Sequence, residues 1–222
     1  DYIDFYGNAS LPLGHNHEIL RKVFNESIPL NIGLYSNSYR GDLVSVLSDI
    51  FPGYSDYQFY SSGSAANEGM LRYAMKITGR SKFCGFYGSF HGRTKALASV
   101  SDMEPENGER INGFFELPYP GYDPKTGRYS CDPSLIPDVD EIDSIIDEYG
   151  SDDLAGMILE PILSKPVILP PNNWLLDLKK RVLDKRGILL LADEYLTSCR
   201  VGHWMECTAQ GVEPDVFSLS LI

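Results

Sequence analysis

Short apolar runs alternate along the chain with segments of helical periodicity. The runs that are typical of buried strands lie at residues 58–60, 82–86, 155–159, 188–192 and 216–219. Between them, residues 66–77 and 174–183 place apolar side chains at the spacing of one helix face. Strands that are apolar on both faces and alternate with helices predict an α/β architecture, with a mainly parallel sheet flanked by helices.

Small residues mark the ends of the two predicted helices. Ser64 is a good N-cap residue for the first helix, which we expect to stop at Gly79, and Gly187 ends the second helix in the same way. The apolar stripes are Ala66, Met70, Ala74 and Ile77 in the first helix and Trp174, Leu175, Leu178, Val182 and Leu183 in the second. Both helices are therefore expected to pack on the sheet.

The composition fits one sizeable core in a soluble globular domain, with 222 residues of which 43% are hydrophobic. Residues 103–137 are rich in Pro, Gly and Tyr and predict a long excursion rather than a domain linker. The apolar runs are far shorter than the roughly 20 residues that span a bilayer, so we expect no transmembrane segment. The first residues do not resemble a secretory signal, which favours a cytoplasmic location.

The net charge of −12 argues against a nucleic-acid partner, because such binding depends on clustered Lys and Arg. Acids alternate with Ile and Leu in residues 132–153, a pattern that predicts a solvated amphipathic helix. The cysteines show no C-x-x-C pair and no spacing of a metal site or disulfide framework. They are Cys84, Cys131, Cys199 and Cys207. We expect reduced thiols and no metal.

Unusual polar residues follow the predicted strands, where ligands of parallel sheets bind. Residues 61–68 read Ser-Ser-Gly-Ser-Ala-Ala-Asn-Glu and open a helix, whose free N–H groups favour an anion such as phosphate. A plain tight turn is the alternative. Phe90 and His91 follow the second strand between glycines. A ring held rigidly there can stack on a planar cofactor or simply fill a gap in the core.

Carboxylates end the next two predicted strands. Glu160 follows one of them, and Asp193 and Glu194 follow the other. Asp193 comes directly after an apolar run, so its charge is partly desolvated unless a cation or a protonated nitrogen meets it. A helix cap or a surface acid is the alternative.

Taken in order, these motifs resemble the class III pyridoxal-phosphate-dependent aminotransferases. The resemblance rests on residues 62–68, on Phe90-His91-Gly92-Arg93-Thr94, and on Glu160-Pro161, Asp193-Glu194 and Pro214-Asp215. It extends through essentially the whole chain. Residues 193–201, Asp-Glu-Tyr-Leu-Thr-Ser-Cys-Arg-Val, are similar to the D-E-V-M-T-G-F-R-V of the glutamate-1-semialdehyde aminomutase branch.

The resemblance implies a fold type I large domain in which the family's C-terminal domain is absent, so that the chain is a fragment. Residues 1–45 are then an N-terminal segment at the edge of the substrate pocket, and residues 46–222 form the cofactor-binding domain. It also implies pyridoxal 5'-phosphate as cofactor and a homodimer. The implied partners are a small amine or amino acid and a keto substrate, with no nucleic acid and no membrane.

The residues that the resemblance places against the cofactor are Gly63, Ser64, Phe90, His91, Glu160 and Asp193. The backbone around Gly63 and Ser64 holds the phosphate, and Phe90 stacks on the pyridine ring. Asp193 pairs with the protonated ring nitrogen, and a charged ring can take up electrons from the substrate. Glu160 matches an active-site glutamate of the family that can pair with an arginine.

Several other candidates are expected to be structural. His91 is expected to be a neighbour of Glu194 rather than an acid or base. His15 and His17 resemble a metal pair only in isolation, because G-H-x-H occurs in this family as a turn. Residues 35–39 line the substrate pocket in related enzymes, although a core or interface role fits equally well. Lys165 lies close to Glu160 in the sequence and is expected to be a solvated loop lysine.

Three positions depart from the family pattern. Ala65 replaces the glutamate of G-S-E-A-N, and Leu196 replaces a glutamine that many members place against the cofactor. The third is Leu221, at the position of the Schiff-base lysine in the motif P-D-x-x-x-L-x-K. Leucine cannot form an imine, so both covalent anchoring and proton transfer by that lysine are lost. An engineered change, a cofactor-bearing lysine written as leucine, and a natural pseudoenzyme all fit this position.

The leading functional hypothesis is an aminotransferase that moves an amino group between an amine or amino acid and a carbonyl compound. An aminomutase or racemase of the same family is the second. A non-catalytic pyridoxal-phosphate-binding pseudoenzyme is the third, and Leu221 favours it.

Overall fold

The computed structural model describes residues 13–26, 37–102, 108–123, 125–130, 132–165 and 167–220. Contacts divide the chain into a smaller unit, residues 1–60 with residue 222, and a larger unit, residues 61–221. The predicted division after residue 45 rests on the family resemblance and stays a prediction.

The smaller unit contains two described helices, α1 (Glu18–Phe24) and α2 (Ser38–Ile50). His17 caps α1, because its Nδ1 accepts a hydrogen bond from the Ile19 amide over 3.2 Å. Of the predicted pocket residues 35–39, residues 35 and 36 lie outside the described residues, and Tyr39 is an exposed residue of α2. The strand predicted at residues 58–60 is wrong. That segment is irregular, the side chains of Gln58 and Tyr60 are exposed, and it pairs with none of the described strands.

The larger unit contains a parallel sheet and two short hairpins. Its strands are β1 (Lys82–Phe86), β2 (Phe115–Leu117), β3 (Tyr122–Asp123), β4 (Arg128–Tyr129), β5 (Leu154–Leu159), β6 (Leu163–Ser164), β7 (Val167–Ile168), β8 (Leu189–Glu194) and β9 (Val216–Leu219). Five of these described strands pair in the order β2-β1-β5-β8-β9, and every pair is parallel. The pairs β3–β4 and β6–β7 are antiparallel.

Helices lie on both faces of this sheet. The α-helices of the larger unit are α3 (Gly63–Thr78), α4 (Lys95–Ala98), α5 (Val139–Tyr149), α6 (Trp174–Asp177), α7 (Asp184–Arg186) and α8 (Glu206–Ala209). A π-helical segment, Leu178–Leu183, joins α6 to α7, and short 3-10 turns lie at Pro133–Leu135 and Ser151–Asp153. The predicted architecture, a mainly parallel sheet flanked by helices, is confirmed.

Two hydrophobic clusters form the core, one on each face of the sheet. On one face, Met70 and Ala74 of α3 pack with Phe83, Leu97 and residues of β5 and β8. On the other face, α5 and the helical segment 174–183 pack against the same strands. The predicted stripe of the second helix is buried throughout. In α3 the buried face is rotated toward Asn67 and Leu71, and Ile77 is 58% exposed.

The acidic run forms the amphipathic helix that its pattern predicts. Val139, Ile142 and Ile146 of α5 are buried, while its acids face outward. Asp140 pairs with Arg181, and Asp143 and Asp147 pair with Arg186. The helix therefore packs on the sheet through its apolar face alone.

Three further features bear on function. No helix in the described ranges is long and apolar enough to cross a membrane. Within the same ranges, no three His, Cys, Asp or Glu side chains come together in a way that could hold a metal ion. Cys84, Cys199 and Cys207 carry free thiols, whereas Cys131 lies outside the described residues.

Candidate active site

A buried hydrogen-bond network surrounds Asp193 near the carboxyl end of β8. Asn67 Nδ2, from the first turns of α3, donates to Asp193 Oδ2 over 2.7 Å. The Tyr195 amide donates to Asp193 Oδ1 over 3.2 Å, and the Ser218 hydroxyl lies 3.3 Å from the same oxygen. Ser218 is the register partner of Asp193 in the β8–β9 pair. Neutral donors thus hold a carboxylate that is only 5% exposed.

His91 is the titratable neighbour of Asp193. Its Nδ1 lies 2.8 Å from Asp193 Oδ2, and because an ionised carboxylate only accepts, Nδ1 carries the hydrogen. From the sequence, we expected His91 to be a neighbour of Glu194. In the structure His91 contacts the carboxylate of Asp193 instead. His91 Nε2 is buried and has no hydrogen-bond partner among the described residues. Within the same ranges, Asp193 forms no ion pair with Lys or Arg.

The side chains of Asp193 and Glu194 lie on opposite faces of the sheet, because successive side chains along a strand point to alternate faces. Glu194 is fully buried and accepts hydrogen bonds from the Glu206 amide over 3.1 Å and the Cys207 amide over 2.8 Å. It also accepts from the Thr197 hydroxyl. Burial raises the pKa of Glu194, and these donors oppose the rise. Glu194 is thus the helix-capping acid of the pair, and Asp193 is left for the site.

Helix α3 begins at Gly63, beside this network. Its N-cap is Ser62, whose hydroxyl accepts from the Ala65 amide over 3.2 Å, and not Ser64 as predicted. The first intrahelical bond runs from Ala66 N to the Ser62 carbonyl, so the amides of Gly63 and Ser64 have no partner within the helix. An anion can therefore bind at this end. The helix stops at Gly79, with φ of 71°, as predicted.

Gly63 is also a point of close approach. A Cβ added there would lie 2.8 Å from Cδ2 of the Tyr195 ring. The half-buried Tyr195 therefore packs directly against the first residue of α3. This contact joins the predicted phosphate turn to the residue two positions after Asp193.

Phe90 and Glu160 form the neighbouring part of the site. The Phe90 amide donates to Glu160 Oε2 over 3.0 Å, and the Phe90 ring is half-buried. Glu160 is 4% exposed. Burial raises the pKa of Glu160, the charge of His91 opposes this rise, and the charge of Asp193 adds to it. Glu160, His91 and Asp193 thus form one electrostatic group.

The structure brings together most of the residues that the sequence nominates. Asp193 and His91 share a hydrogen bond, Phe90 and Glu160 share another, and Ser64 lies against Gly92, where a Cβ would meet its side chain. Leu221 lies outside the described residues. Its preceding residue, Ser220, is held by Ser198, whose hydroxyl lies 3.3 Å from both the amide and the carbonyl of Ser220.

Sequence reasoning missed the roles of Asn67, Ser218 and Tyr195. Asn67 belongs to the motif at residues 62–68. Its position on the sheet-facing side of the predicted helix could have indicated its role, because a buried side-chain amide needs hydrogen-bond partners. Ser218 gives no such signal, since its pairing with Asp193 depends on strand register.

The fold and the site define a class of protein. A parallel sheet carries a buried carboxylate near the carboxyl end of one strand, beside a helix N-terminus and an aromatic ring, and this arrangement suits a planar anionic ligand with a cationic ring. The sequence profile of the class III aminotransferases matches residues 1–220. The chain belongs to the class III aminotransferase family, and it has the large-domain fold of the fold type I pyridoxal-phosphate enzymes.

Individual relatives agree with this assignment. The chain is 27% identical over its whole length to a glutamate-1-semialdehyde 2,1-aminomutase of Natranaerobius thermophilus, of which it covers 50%. It is 31% identical, over 96% of its length, to an uncharacterized aminotransferase of Schizosaccharomyces pombe, again covering 50%. The resemblance to the aminomutase branch is confirmed. The chain spans about half the length of the curated relatives it matches.

A solved structure supports the same fold. The pyridoxal-phosphate-bound amine transaminase of an uncultivated Pseudomonas species superposes with a TM-score of 0.81 at 26% identity. The match covers 98% of this chain and 53% of the transaminase.

Proposed function

We propose that this chain is the cofactor-binding part of a pyridoxal-phosphate-dependent aminotransferase, which moves an amino group between an amine or amino acid and a carbonyl compound. The observation that carries the proposal is the buried Asp193 carboxylate, which neutral donors orient and which no described Lys or Arg neutralises. A buried carboxylate of this kind favours a cationic partner. The protonated pyridine nitrogen of the cofactor has the required charge.

The donor set of the site fits the cofactor at three points. Asp193 suits the ring nitrogen, and the amides of Gly63 and Ser64, which have no partner within helix α3, suit the phosphate. Phe90 offers a half-buried ring for stacking. His91 Nε2 is a buried polar atom with no partner in the described structure, as expected beside a site built for a polar ligand.

The chain's own residues would orient and polarise the bound group. The cofactor itself supplies the electron sink that makes amino-group transfer possible. Asn67, Ser218 and His91 hold the Asp193 carboxylate in place, and this carboxylate would favour a protonated ring nitrogen in a bound cofactor. Glu160 accepts from the Phe90 amide and so anchors the backbone of Phe90, whose ring would be available for stacking on a bound pyridine.

A second candidate, non-catalytic binding of the cofactor, is favoured by Leu221. A third, an aminomutase, is favoured by the relatives that carry that name. The three candidates share the cofactor and differ in product. A transaminase converts an amine substrate into a keto compound that is released. An aminomutase isomerises the amine and releases no keto compound, and a binding protein leaves the amine unchanged.

Cofactor binding is tested by titrating the protein with pyridoxal phosphate and following absorbance and fluorescence. We expect saturable binding that Asp193→Ala weakens at least about tenfold, because a charge-assisted contact contributes roughly 1.5–3 kcal/mol. The control variant Glu148→Ala removes an exposed acid of α5 and should bind normally. Equal affinity in all three proteins would remove Asp193 from the site.

Aminotransfer is tested with the cofactor and a panel of amines and amino acids, by measuring the keto product. Wild-type protein and Leu221→Lys are compared, and the intact mass establishes which residue occupies position 221. Keto product from either protein supports aminotransfer. Isomerised amine without keto product supports the aminomutase, and tight binding with no product in both proteins supports the pseudoenzyme.

The family resemblance also leads us to propose a homodimer in the cytoplasm. Light scattering coupled to size exclusion measures the assembly. An active monomer would contradict the homodimer.

A further inference from the structure

Tyr195 contacts both ends of the candidate site. Its backbone amide donates to Asp193 Oδ1 over 3.2 Å, and Asp193 is the residue proposed to meet the ring nitrogen of the cofactor. Its ring packs against Gly63, where an added Cβ would lie 2.8 Å from Cδ2 and 3.0 Å from Cε2. Gly63 carries one of the two amides proposed to hold the phosphate. A single residue therefore extends from the nitrogen end of the site to its phosphate end.

The backbone of Tyr195 is restrained on both sides. The Tyr195 carbonyl accepts from Arg200 Nη1 over 3.0 Å, while the Tyr195 amide is bonded to Asp193. Because both polar backbone groups are bonded, the Cα atom of Tyr195 is held in place next to the Asp193 carboxylate. The contact with Gly63 then sets the direction of the ring.

The spacing of these contacts along α3 suits the proposed ligand. Asn67, which donates to Asp193, and Gly63, which meets the Tyr195 ring, lie about one helical turn apart, or about 6 Å along the helix axis. The ring nitrogen and the phosphate lie at opposite ends of pyridoxal phosphate, a molecule of similar length. The Tyr195 side chain therefore points from the nitrogen end toward the phosphate end.

The Tyr195 hydroxyl is available to a ligand. Both hydrogen bonds that Tyr195 forms within the described residues are backbone bonds, and the residue is half-buried. A tyrosine with a packed ring generally finds a partner for its hydroxyl. Cε2 is bonded to the carbon that carries the hydroxyl, so the ring edge that meets Gly63 brings the hydroxyl to the start of α3. There the amides of Gly63 and Ser64 have no partner within the helix.

We propose that the Tyr195 hydroxyl is a further donor to the phosphate of the bound cofactor, beside the amides of Gly63 and Ser64. This inference rests on the proposed function. The aminomutase-branch pattern D-E-V-M-T has valine at the position of Tyr195, and valine has no hydroxyl. The contact therefore distinguishes this chain from that branch. A hydroxyl that donates to a charged phosphate oxygen forms a strong hydrogen bond, because the acceptor is ionised.

Removing the hydroxyl and removing the phosphate test the same contact from its two sides. Tyr195→Phe deletes the hydroxyl and keeps the ring that packs on Gly63. Pyridoxamine 5'-phosphate and pyridoxamine differ only in the phosphate. Neither compound has the aldehyde that forms an imine with a lysine, so binding is measured without covalent chemistry. The matched control is Tyr73→Phe, because Tyr73 is a 44% exposed residue in the later turns of α3.

Isothermal titration calorimetry measures the affinity of the full chain and of each variant for both compounds. We expect Tyr195→Phe to weaken binding of pyridoxamine phosphate about tenfold and to leave binding of pyridoxamine unchanged. Tyr73→Phe should change neither affinity. The phosphorus NMR resonance of the bound phosphate should also differ between wild type and Tyr195→Phe, and it decides the question where pyridoxamine binds too weakly for calorimetry.

The outcomes separate this inference from the proposed function. Saturable binding of pyridoxamine phosphate with equal affinity and an unchanged phosphorus resonance in Tyr195→Phe would overturn the role of the hydroxyl and leave the proposed function standing. Equal weakening of both compounds would also overturn it, because the hydroxyl would then act on the part of the ligand that they share. Absence of saturable binding of either compound to the wild type would overturn both proposals.

Discussion

The side-chain amide of Asn67 joins helix α3 to strand β8 by donating to Asp193 Oδ2 over 2.7 Å. The same nitrogen donates to the His91 carbonyl over 2.8 Å, and Asn67 Oδ1 accepts from the Ser218 hydroxyl over 2.7 Å. One buried side chain therefore connects the segment after β1, the end of β8 and strand β9. Positioning of the Asp193 carboxylate depends on the helix as much as on the sheet.

Replacing Asn67 by alanine should destabilise the fold by about 1–3 kcal/mol, because it leaves a buried carboxylate and a buried carbonyl each short of a donor. Urea unfolding measures the change. Arg72→Ala, at an exposed position of the same helix, should change the free energy of unfolding by less than about 0.5 kcal/mol. A similar effect of the two variants would show that the network contributes little to stability.

The contact between Gly63 and the Tyr195 ring predicts a second effect. Alanine favours helices over glycine by up to about 1 kcal/mol, so Gly63→Ala would stabilise α3 if space allowed. Because the new Cβ would lie 2.8 Å from the Tyr195 ring, we expect a loss of about 1–3 kcal/mol instead. Denaturant unfolding measures this loss.

Two controls test the cause. Gly53→Ala adds a Cβ that meets nothing within 4 Å and should cost little. Tyr195→Ala should relieve the clash, so the double variant should recover more than about 0.5 kcal/mol relative to additivity. Additive effects of the two substitutions would argue against the contact.

The sequence predicted the parts of the fold that depend on local pattern. Of the five described strands in the parallel sheet, four were predicted, because a strand covered on both faces leaves a continuous apolar run. Strand β2 was missed, since it has only three residues and carries the acid Glu116 in its centre. The segment at 58–60 was wrongly predicted, because a run of three residues cannot distinguish a strand from an extended loop.

The site was less predictable than the fold. The order of polar residues after the strands located Asp193, Glu160 and Phe90 in one region. Which serine caps α3 depends on which one has extended backbone, and Ser62, with φ of −158°, has it. That Asp193 and not Glu194 contacts His91 depends on strand direction and on the position of α3. The sequence pattern contains neither.

Burial of Glu116 predicts a pH dependence of stability. Glu116 Oε2 lies 2.5 Å from Arg110 Nη1, yet burial outweighs this pairing and raises the pKa of Glu116 from 4.5 to about 7. The folded protein therefore binds a proton that the unfolded chain releases, and this contribution to stability is lost as the pH rises from about 4.5 to about 7.

Glu116→Gln should remove that dependence, so the free energy of unfolding should fall less steeply with pH than in the wild type. Urea unfolding at several pH values between about 4.5 and 8 measures the slopes. Glu148→Gln, at an exposed position, should retain the wild-type slope. Parallel profiles for wild type and Glu116→Gln would mean that folding does not shift the pKa of Glu116.

The Ser198 hydroxyl should control the mobility of the chain just before position 221. Ser198 is fully buried, and its hydroxyl lies 3.3 Å from both the amide and the carbonyl of Ser220. Arg200 Nη1 reinforces this turn by donating to the Ser198 carbonyl over 3.0 Å. Ser198→Ala removes the hydroxyl, and a loss of about 1 kcal/mol corresponds to roughly fivefold faster opening of the segment.

Hydrogen exchange with mass spectrometry measures this opening at the Ser220 amide. The control is Ser144→Ala, which removes one hydroxyl-to-carbonyl bond, from Ser144 to Asp140 in α5, and lies far from Ser220 in the sequence. Faster exchange in Ser198→Ala, but not in Ser144→Ala, would show that Ser198 restrains the chain after β9. The loop after β8 would then hold this segment in addition to the hydrogen bonds between the two strands. Unchanged exchange at Ser220 would show that the Ser198 hydroxyl does not restrain this segment.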